Sequence, residues 1–336
     1  MRVAECCGYP GSMPLPPHVL NLIEVKTPVV YHYTDAAGLL GVAGDNELWA
    51  TESHGMNDKA EVHQGWRFIE QWLSAQDQND LLVGELKTAL GWAANGWASS
   101  DIWGRAYFLC ASVVQDDANQ WRNYGDAARG FSIAFDATVP LGVVTGEPGP
   151  SEPEADTGGH EVARAHTKLI ECVSVFPWSR VLYAANDKNA VLEAYLAGSR
   201  ERAHRARNAE CGSGRDLRLS EYATDFEVLA KLMKSPGFEG EHEVRLIVSS
   251  YSQRHASFRA GRYGIVTFQR LVRRMDDRAG LRYGVAVGKS GTTLPITQIM
   301  TGPLVDYEHN RIAIEALLER HGHEGVTIEF SKLLMR

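Results

Sequence analysis

Val29-Val30-Tyr31-His32-Tyr33, Gly38-Leu39-Leu40-Gly41-Val42 and Glu47-Leu48-Trp49-Ala50-Thr51 follow one another in a single stretch. The first is a run of β-branched and aromatic residues behind Pro28, which reads as a strand. Thr34 or Asp35 supplies a cap for a helix whose apolar centre is the second segment. The third is a short extended segment. Strand, helix and strand therefore arrive within about two dozen residues, without the Gly-x-Gly-x-x-Gly turn that a doubly wound nucleotide fold places after its first strand.

Outward from this unit the pattern continues irregularly. Asn57-Asp58-Lys59-Ala60-Glu61 opens a helix through Trp66, Ile69 and Trp72, which fall on one helical face. A second helix carries Leu82, Val83, Leu86, Ala89 and Leu90. Residues 105–114, 130–135, 171–183, 243–249, 265–268, 285–287, 296–300 and 326–330 read as strands or extended segments. Residues 117–124, 190–197, 222–233 and 312–318 read as helical. The expected class is α+β, a mixed or antiparallel sheet with flanking helices. Residues 1–27 read as a flexible lead-in and 28–336 as one domain. Loops are expected near 146–159, rich in Pro, Gly and acids, and near 200–214.

Composition narrows the classes. Hydrophobic residues make up 44% of the 336 and charged residues 23%, enough apolar material for a real core. The net charge is −8, from 34 basic and 42 acidic residues, which argues against broad electrostatic binding to nucleic acid. No apolar run approaches the ~20 residues of a membrane span. Five cysteines at scattered positions do not make a disulfide framework, and none has zinc-ligand spacing. A cytoplasmic location without membrane contact and without a bound metal is expected.

Three places carry candidate chemistry. His32 and Thr34 lie on the same side of the first strand, a hydrogen-bonding pair. The bland reading is a core histidine beside a cap. Tyr107 sits on an apolar strand with Ser112 beyond it, and Trp121 and Tyr124 follow one helical turn apart. Either stacking on a planar ligand or plain core packing accounts for them. In Glu241-His242-Glu243-Val244-Arg245, strand alternation puts Glu241, Glu243 and Arg245 on one face. Charges so placed are costly to bury unless paired or functional.

In these motifs the chain resembles the bacterial domain-of-unknown-function family 2971. The residues that carry the resemblance are Tyr31-His32-Tyr33-Thr34 with Leu39-Leu40, Met56-Asn57-Asp58 with Glu61, Cys110-Ala111-Ser112, Gln120 to Asp126, Gly130-Phe131, and Phe238, Glu241, Glu243 and Arg245. Pro295, Ile299, Gly302-Pro303 and Ser331 complete it. A second resemblance is to ADP-ribosyltransferases of the diphtheria-toxin and poly-ADP-ribose-polymerase type. It runs through Tyr31-His32-Tyr33-Thr34, Tyr107-Phe108 with Trp121 to Tyr124, and a late strand carrying Glu243, with Glu241 as its alternate. Tyr33 departs from that pattern, standing where glycine is common, and the stretch from Thr51 to Arg105 is long.

The second resemblance implies NAD as a substrate, no metal, and an ADP-ribosyltransferase or NAD glycohydrolase. His32, Tyr107 and Glu243 would be its catalytic residues. Tyr33, Thr34, Ser112, Trp121, Tyr124, Glu241 and Arg245 would join His32 and Tyr107 around the dinucleotide. Glu243 would favour the positive charge that develops as nicotinamide leaves. Such a protein would act as a toxin or phage-defence effector on a protein or nucleic-acid acceptor, with an antitoxin as partner. The competing expectation is a non-catalytic module of a bacterial defence system that binds a nucleotide, nucleic acid or protein, with Glu241, Glu243 and Arg245 as a structural ion network.

Overall fold

A computed structural model describes residues 15–52, 59–94, 105–144, 173–208, 214–250, 256–261, 264–274, 285–286 and 293–334. The opening unit is strand β1 (Val29–Thr34), helix α2 (Ala36–Asp45) and strand β2 (Leu48–Glu52). Asp35 is the cap: its carboxylate accepts the Gly38 N–H at 2.7 Å, which satisfies one of the free amides of the first turn. Asn46, in the left-handed region at φ 57°, ends the helix. Ahead of this unit, helix α1 (Pro17–Ile23) buries Val19, Leu20 and Ile23. The expected lead-in is thus corrected for these residues: proline at the first helical position starts a short amphipathic helix.

The next elements are α3 (Lys59–Ser74), α4 (Leu81–Ala94), β3 (Arg105–Ser112), α5 (Ala118–Asn123), β4 (Phe131–Asp136), β5 (Leu141–Val144), β6 (Val173–Val175) and β7 (Ser179–Arg180). After these come α6 (Ala185–Asn208), α7 (Gly214–Lys231), β8 (Glu243–Ser250), β9 (Ser257–Gly261), β10 (Gly264–Arg273), β11 (Val285–Ala286), β12 (Ile296–Thr301), α8 (Tyr307–Arg320) and β13 (Thr327–Phe330). Residues 57–58 of the expected helix start and the expected loop at 146–159 lie outside the described residues. The other expected loop is corrected in part: residues 200–208 continue α6 and Gly214 opens α7. Arg202 explains the continuation, because its guanidinium reaches the buried Asp225 of α7 at 2.9 Å. β5 and β9 are not legible as strands in the sequence; they are short, and both pair with β10.

The described strands form one mixed, mostly antiparallel sheet, with β12–β13 and β11–β5 the parallel pairs. Its path forks at β3. One edge of β3 pairs with β8 along its whole length, Arg105 opposite Ser250 through Ser112 opposite Glu243. The other edge is shared: β2 pairs at Tyr107 and Phe108, and β1 pairs at Ser112. Between those two registers, residues 109–111 belong to neither ladder.

Helices cover the sheet on both sides. Helices α1, α3, α4, α6 and α7 pack with Ala106, Phe108 and Ile247 in one core. The stripe Tyr222, Phe226, Leu229, Ala230 and Met233 of α7 and its C-terminal extension is buried there, as the sequence predicts. At Gly65 a Cβ would stand 1.9 Å from the Ala230 carbonyl oxygen, so glycine lets α3 and α7 meet backbone to backbone. The other core holds Leu39, Val42 and Ala43 of α2, Ile314 and Leu318 of α8, and the opposite sheet face, including Leu48, Tyr107, Leu109 and Leu271. Among the described residues no helix is long and apolar enough to cross a membrane.

Candidate functional site

The fork opens into a cavity of about 900 Å³. β1 contributes His32 and Thr34, the start of α2 contributes Asp35 and Gly38, and β2 contributes Trp49 and Thr51. Leu109, Cys110 and Ala111 of β3, paired with β8 but with neither β1 nor β2, line it, as do Gln120, Asn123 and Tyr124 around α5. Lys231 at the end of α7, Lys234 just beyond it, Glu241 ahead of β8, and Glu243 and Arg245 at the start of β8 complete that side. Residues 32–34, 120–124 and 241–245, far apart in the chain, thus meet around one space.

His32 holds the fork open. Its Nδ1 lies 2.8 Å from the Cys110 carbonyl oxygen, a group that a neighbouring strand would otherwise satisfy. With Nδ1–H donated there, the neutral ring carries its lone pair on Nε2. Burial lowers the His32 pKa, and the carbonyl bond only partly opposes that, so the ring stays neutral at pH 7.

The charged face of β8 is corrected in one respect. Glu241 is not on the strand; it closes a 3₁₀ turn (Pro236–Glu241), and His242 at φ 48° turns the chain into β8. The turn is held by its backbone: Gln120 Nε2 donates to the Glu241 carbonyl at 2.7 Å, and Ser112 Oγ donates to the same oxygen at 3.1 Å. Glu243 and Arg245 do share a face, and they pair bidentately, Nε to Oε1 at 2.7 Å and Nη2 to Oε2 at 2.9 Å. Lys234 Nζ then bridges Glu241 Oε2 at 2.6 Å and Glu243 Oε2 at 3.0 Å. Arg245 Nη1 also donates to the Lys231 carbonyl.

Two carboxylates and two cations are thus interlocked and largely buried: the Glu243, Arg245 and Lys234 side chains are each under a tenth exposed and that of Glu241 is 12% exposed. Burial alone would raise the Glu243 pKa, but Arg245 and Lys234 overcome it and hold the carboxyl at about 2, below its ordinary 4.5. A depressed carboxyl contributes stability that is present above the unfolded pKa and lost as pH falls through the folded one. The expected result is a loss of stability of a few kcal/mol between about pH 4.5 and pH 2. In Glu243→Gln that part of the acid slope is absent, read as urea midpoints across the same range. An unchanged slope would contradict the pairing.

Burial, and next the Glu243 carboxylate, push the Cys110 thiol well above its usual range. It is protonated and no nucleophile at neutral pH.

Of the other expected residues, Tyr33 and Tyr124 line the cavity, whereas Tyr107, Ser112 and Trp121 do not. Tyr107 is fully buried in the core with Leu48 and Leu271 and does not line the cavity, so its ring is packing. Its position along β3 explains it: Tyr107 is paired with Glu52 of β2, whereas residues 109–111, between the β2 and β1 pairings, line the cavity from both faces of the strand. Trp121 and Tyr124 do not share a face. α5 ends at Asn123, and Tyr124 leaves helical geometry at φ −128° to stand 47% exposed at the cavity. Trp121 is fully buried, edge-on to Tyr33 with ring centroids 4.8 Å apart, and its Nε1 donates to Asp116 at 2.7 Å. Tyr33 lines the cavity, but its hydroxyl donates to the Val114 and Gln115 carbonyls and accepts the Asp117 N–H at 3.2 Å. Ser112 is buried beneath the Glu241 turn.

The residue most clearly missed is Lys234. Its one signal is a lysine at the end of the apolar stripe of α7, directly before Ser235-Pro236-Gly237. Trp49 and Arg259 of the cavity wall also gave no motif. Among the described residues no group of three or more His, Cys, Asp or Glu side chains gathers as a metal site.

Comparison with known proteins adds one match. Residues 120–246 match the family DUF2971, a protein of unknown function. The DUF2971 segment runs from Gln120 in α5 to Leu246 in β8. It therefore carries Tyr124, Lys234, Glu241, Glu243 and Arg245, while His32, Thr34 and Trp49 come from outside it. Neither the curated proteins nor the solved structures gave a match.

Proposed function

We propose that the cavity binds NAD and cleaves its nicotinamide–ribose bond, as an ADP-ribosyltransferase-like transferase or glycohydrolase. The observation that carries this reading is the convergence of His32 and Thr34, Tyr124, and Glu241 with Glu243 on one cavity at the sheet fork. The volume is in the range of cavities that take ligands of nucleotide size. His32 presents a neutral ring to a ribose hydroxyl, and Tyr124 offers a half-exposed aromatic face to a planar ring.

In this reaction the C1′–N bond breaks, its electron pair leaves with nicotinamide, and the ribose carbon becomes oxocarbenium-like. An acceptor nucleophile or water then bonds to C1′ and gives up its proton. A placed carboxylate stabilises the developing positive charge. Glu243 has both oxygens on cations, so its field is largely neutralised. Glu241, tied to Lys234 through one oxygen, is the carboxylate that meets the ribose, with Glu243 anchoring it through that lysine. Acceptors among proteins or nucleic acids, toxicity or phage defence in the cytoplasm, and a neutralising partner belong to the same proposal.

The pairing of Glu243 with Arg245 favours a second reading: a binding module in which these charges are purely structural. Nicotinamide release from NAD by the full chain, alone and with cell lysate, separates the two. Release that falls about 10²–10³-fold in Glu241→Gln, with His32→Gln also impaired and both variants folded, is the expected result. Absence of release together with absence of NAD binding by calorimetry sinks the enzyme.

A further inference from the structure

The cavity has a second wall with a different chemistry. His32 and Thr34 stand on the β1 side of the fork, while Trp49, Thr51 and Arg259 stand on the β2 side, with β3 between. Trp49 is 44% exposed although it lines a cavity. One face of its indole is packed: the buried ring of Phe268 lies 4.5 Å away, centroid to centroid, inclined by 34°. The pair is built by register, since Trp49 sits opposite Arg270 on β10 and Phe268 is the diagonal neighbour on the same face. Beside it, Arg259 of β9 is anchored by Nη2 to Thr51 Oγ1 at 3.1 Å. That bond uses one of its five donor hydrogens.

An indole fixed from behind and open in front, with a guanidinium at its side, matches a planar base followed by a phosphate. We propose that Trp49, backed by Phe268, stacks the purine base of a nucleotide, and that Arg259 takes the adjoining phosphate. The inference rests on the reading of the cavity as a nucleotide site and assigns its two ends. The base lies on the β2 side, and the ribose that carries the scissile bond lies on the β1 side by His32 and Glu241.

ADP-ribose, which has the adenine and both phosphates but no nicotinamide, is the probe. Calorimetry with the full chain is expected to show binding that weakens about 5- to 150-fold in Trp49→Ala, the range for loss of one stacked base. Trp49→Phe is expected to recover most of the affinity, and Arg259→Gln to weaken it with the fold intact by circular dichroism. Absence of ADP-ribose binding, or equal affinity in wild type and a folded Trp49→Ala, overturns the platform. Nicotinamide release measured on the same samples keeps the two proposals apart: Trp49-dependent binding without release removes the transferase and leaves the base platform standing.

Discussion

Replacing Arg245 with methionine is expected to cost about 3–5 kcal/mol of unfolding free energy, the range for a buried ion pair that loses one partner. The reason is local. Glu243 is 8% exposed and bonds the guanidinium through both oxygens. Without Arg245 it keeps Lys234, which already serves Glu241, and the Cys110 thiol. The Lys231 carbonyl loses its donor as well, and with it the tie between β8 and the end of α7. Urea denaturation at pH 7 measures the change. The double variant Glu243→Leu/Arg245→Met recovers much of the loss, because apolar residues of similar volume replace a buried pair at little net cost. A single-variant effect below about 1 kcal/mol would place the pair on the scale of exposed ion pairs and contradict its burial.

Trp121→Ala is expected to cost a similar amount, about 3–5 kcal/mol, as large-to-small changes of a buried tryptophan do. The indole is fully buried against Tyr33 and donates to Asp116. Asp116 also accepts Ser331 Oγ at 2.7 Å and the Lys332 N–H at 3.0 Å, so the last strand is tied to the same carboxylate. Trp121→Phe keeps most of the volume and loses the N–H, so a smaller cost of roughly 1–3 kcal/mol is expected. Thermal denaturation of the three proteins checks the order. An alanine variant as stable as the phenylalanine one would show that Trp121 is not a core anchor.

The sequence carries the local elements well, because hydrophobic period and caps are local properties. The strand–helix–strand opening, the stripe of α7 and the alternation in β8 all sit where their residues predict. The site is legible as segments: His32, Thr34, Tyr124, Glu241, Glu243 and Arg245 line one cavity. What escapes is set by long-range pairing. Which stretch of β3 meets the cavity decides between Tyr107 and residues 108–111, and only the long-range pairing with β2 and β1 fixes it. Lys234 and Arg259 are single cations whose roles depend on partners elsewhere, Glu241 and Glu243 for one and Thr51 for the other. The helix end between Trp121 and Tyr124 is a one-residue matter, which pattern reasoning does not resolve.

The bond from the His32 ring to the Cys110 carbonyl has a genetic consequence. At this point a side chain stands in for a missing strand, so position 32 answers to two demands at once: closing a backbone hydrogen bond and furnishing the cavity. Substitutions there change both together. A glutamine, which keeps a donor for the carbonyl, tests the ring, whereas an alanine tests the sheet and the ring as one. Variation at residue 32 is therefore expected to be epistatic with variation along residues 109–111, whose backbone it completes.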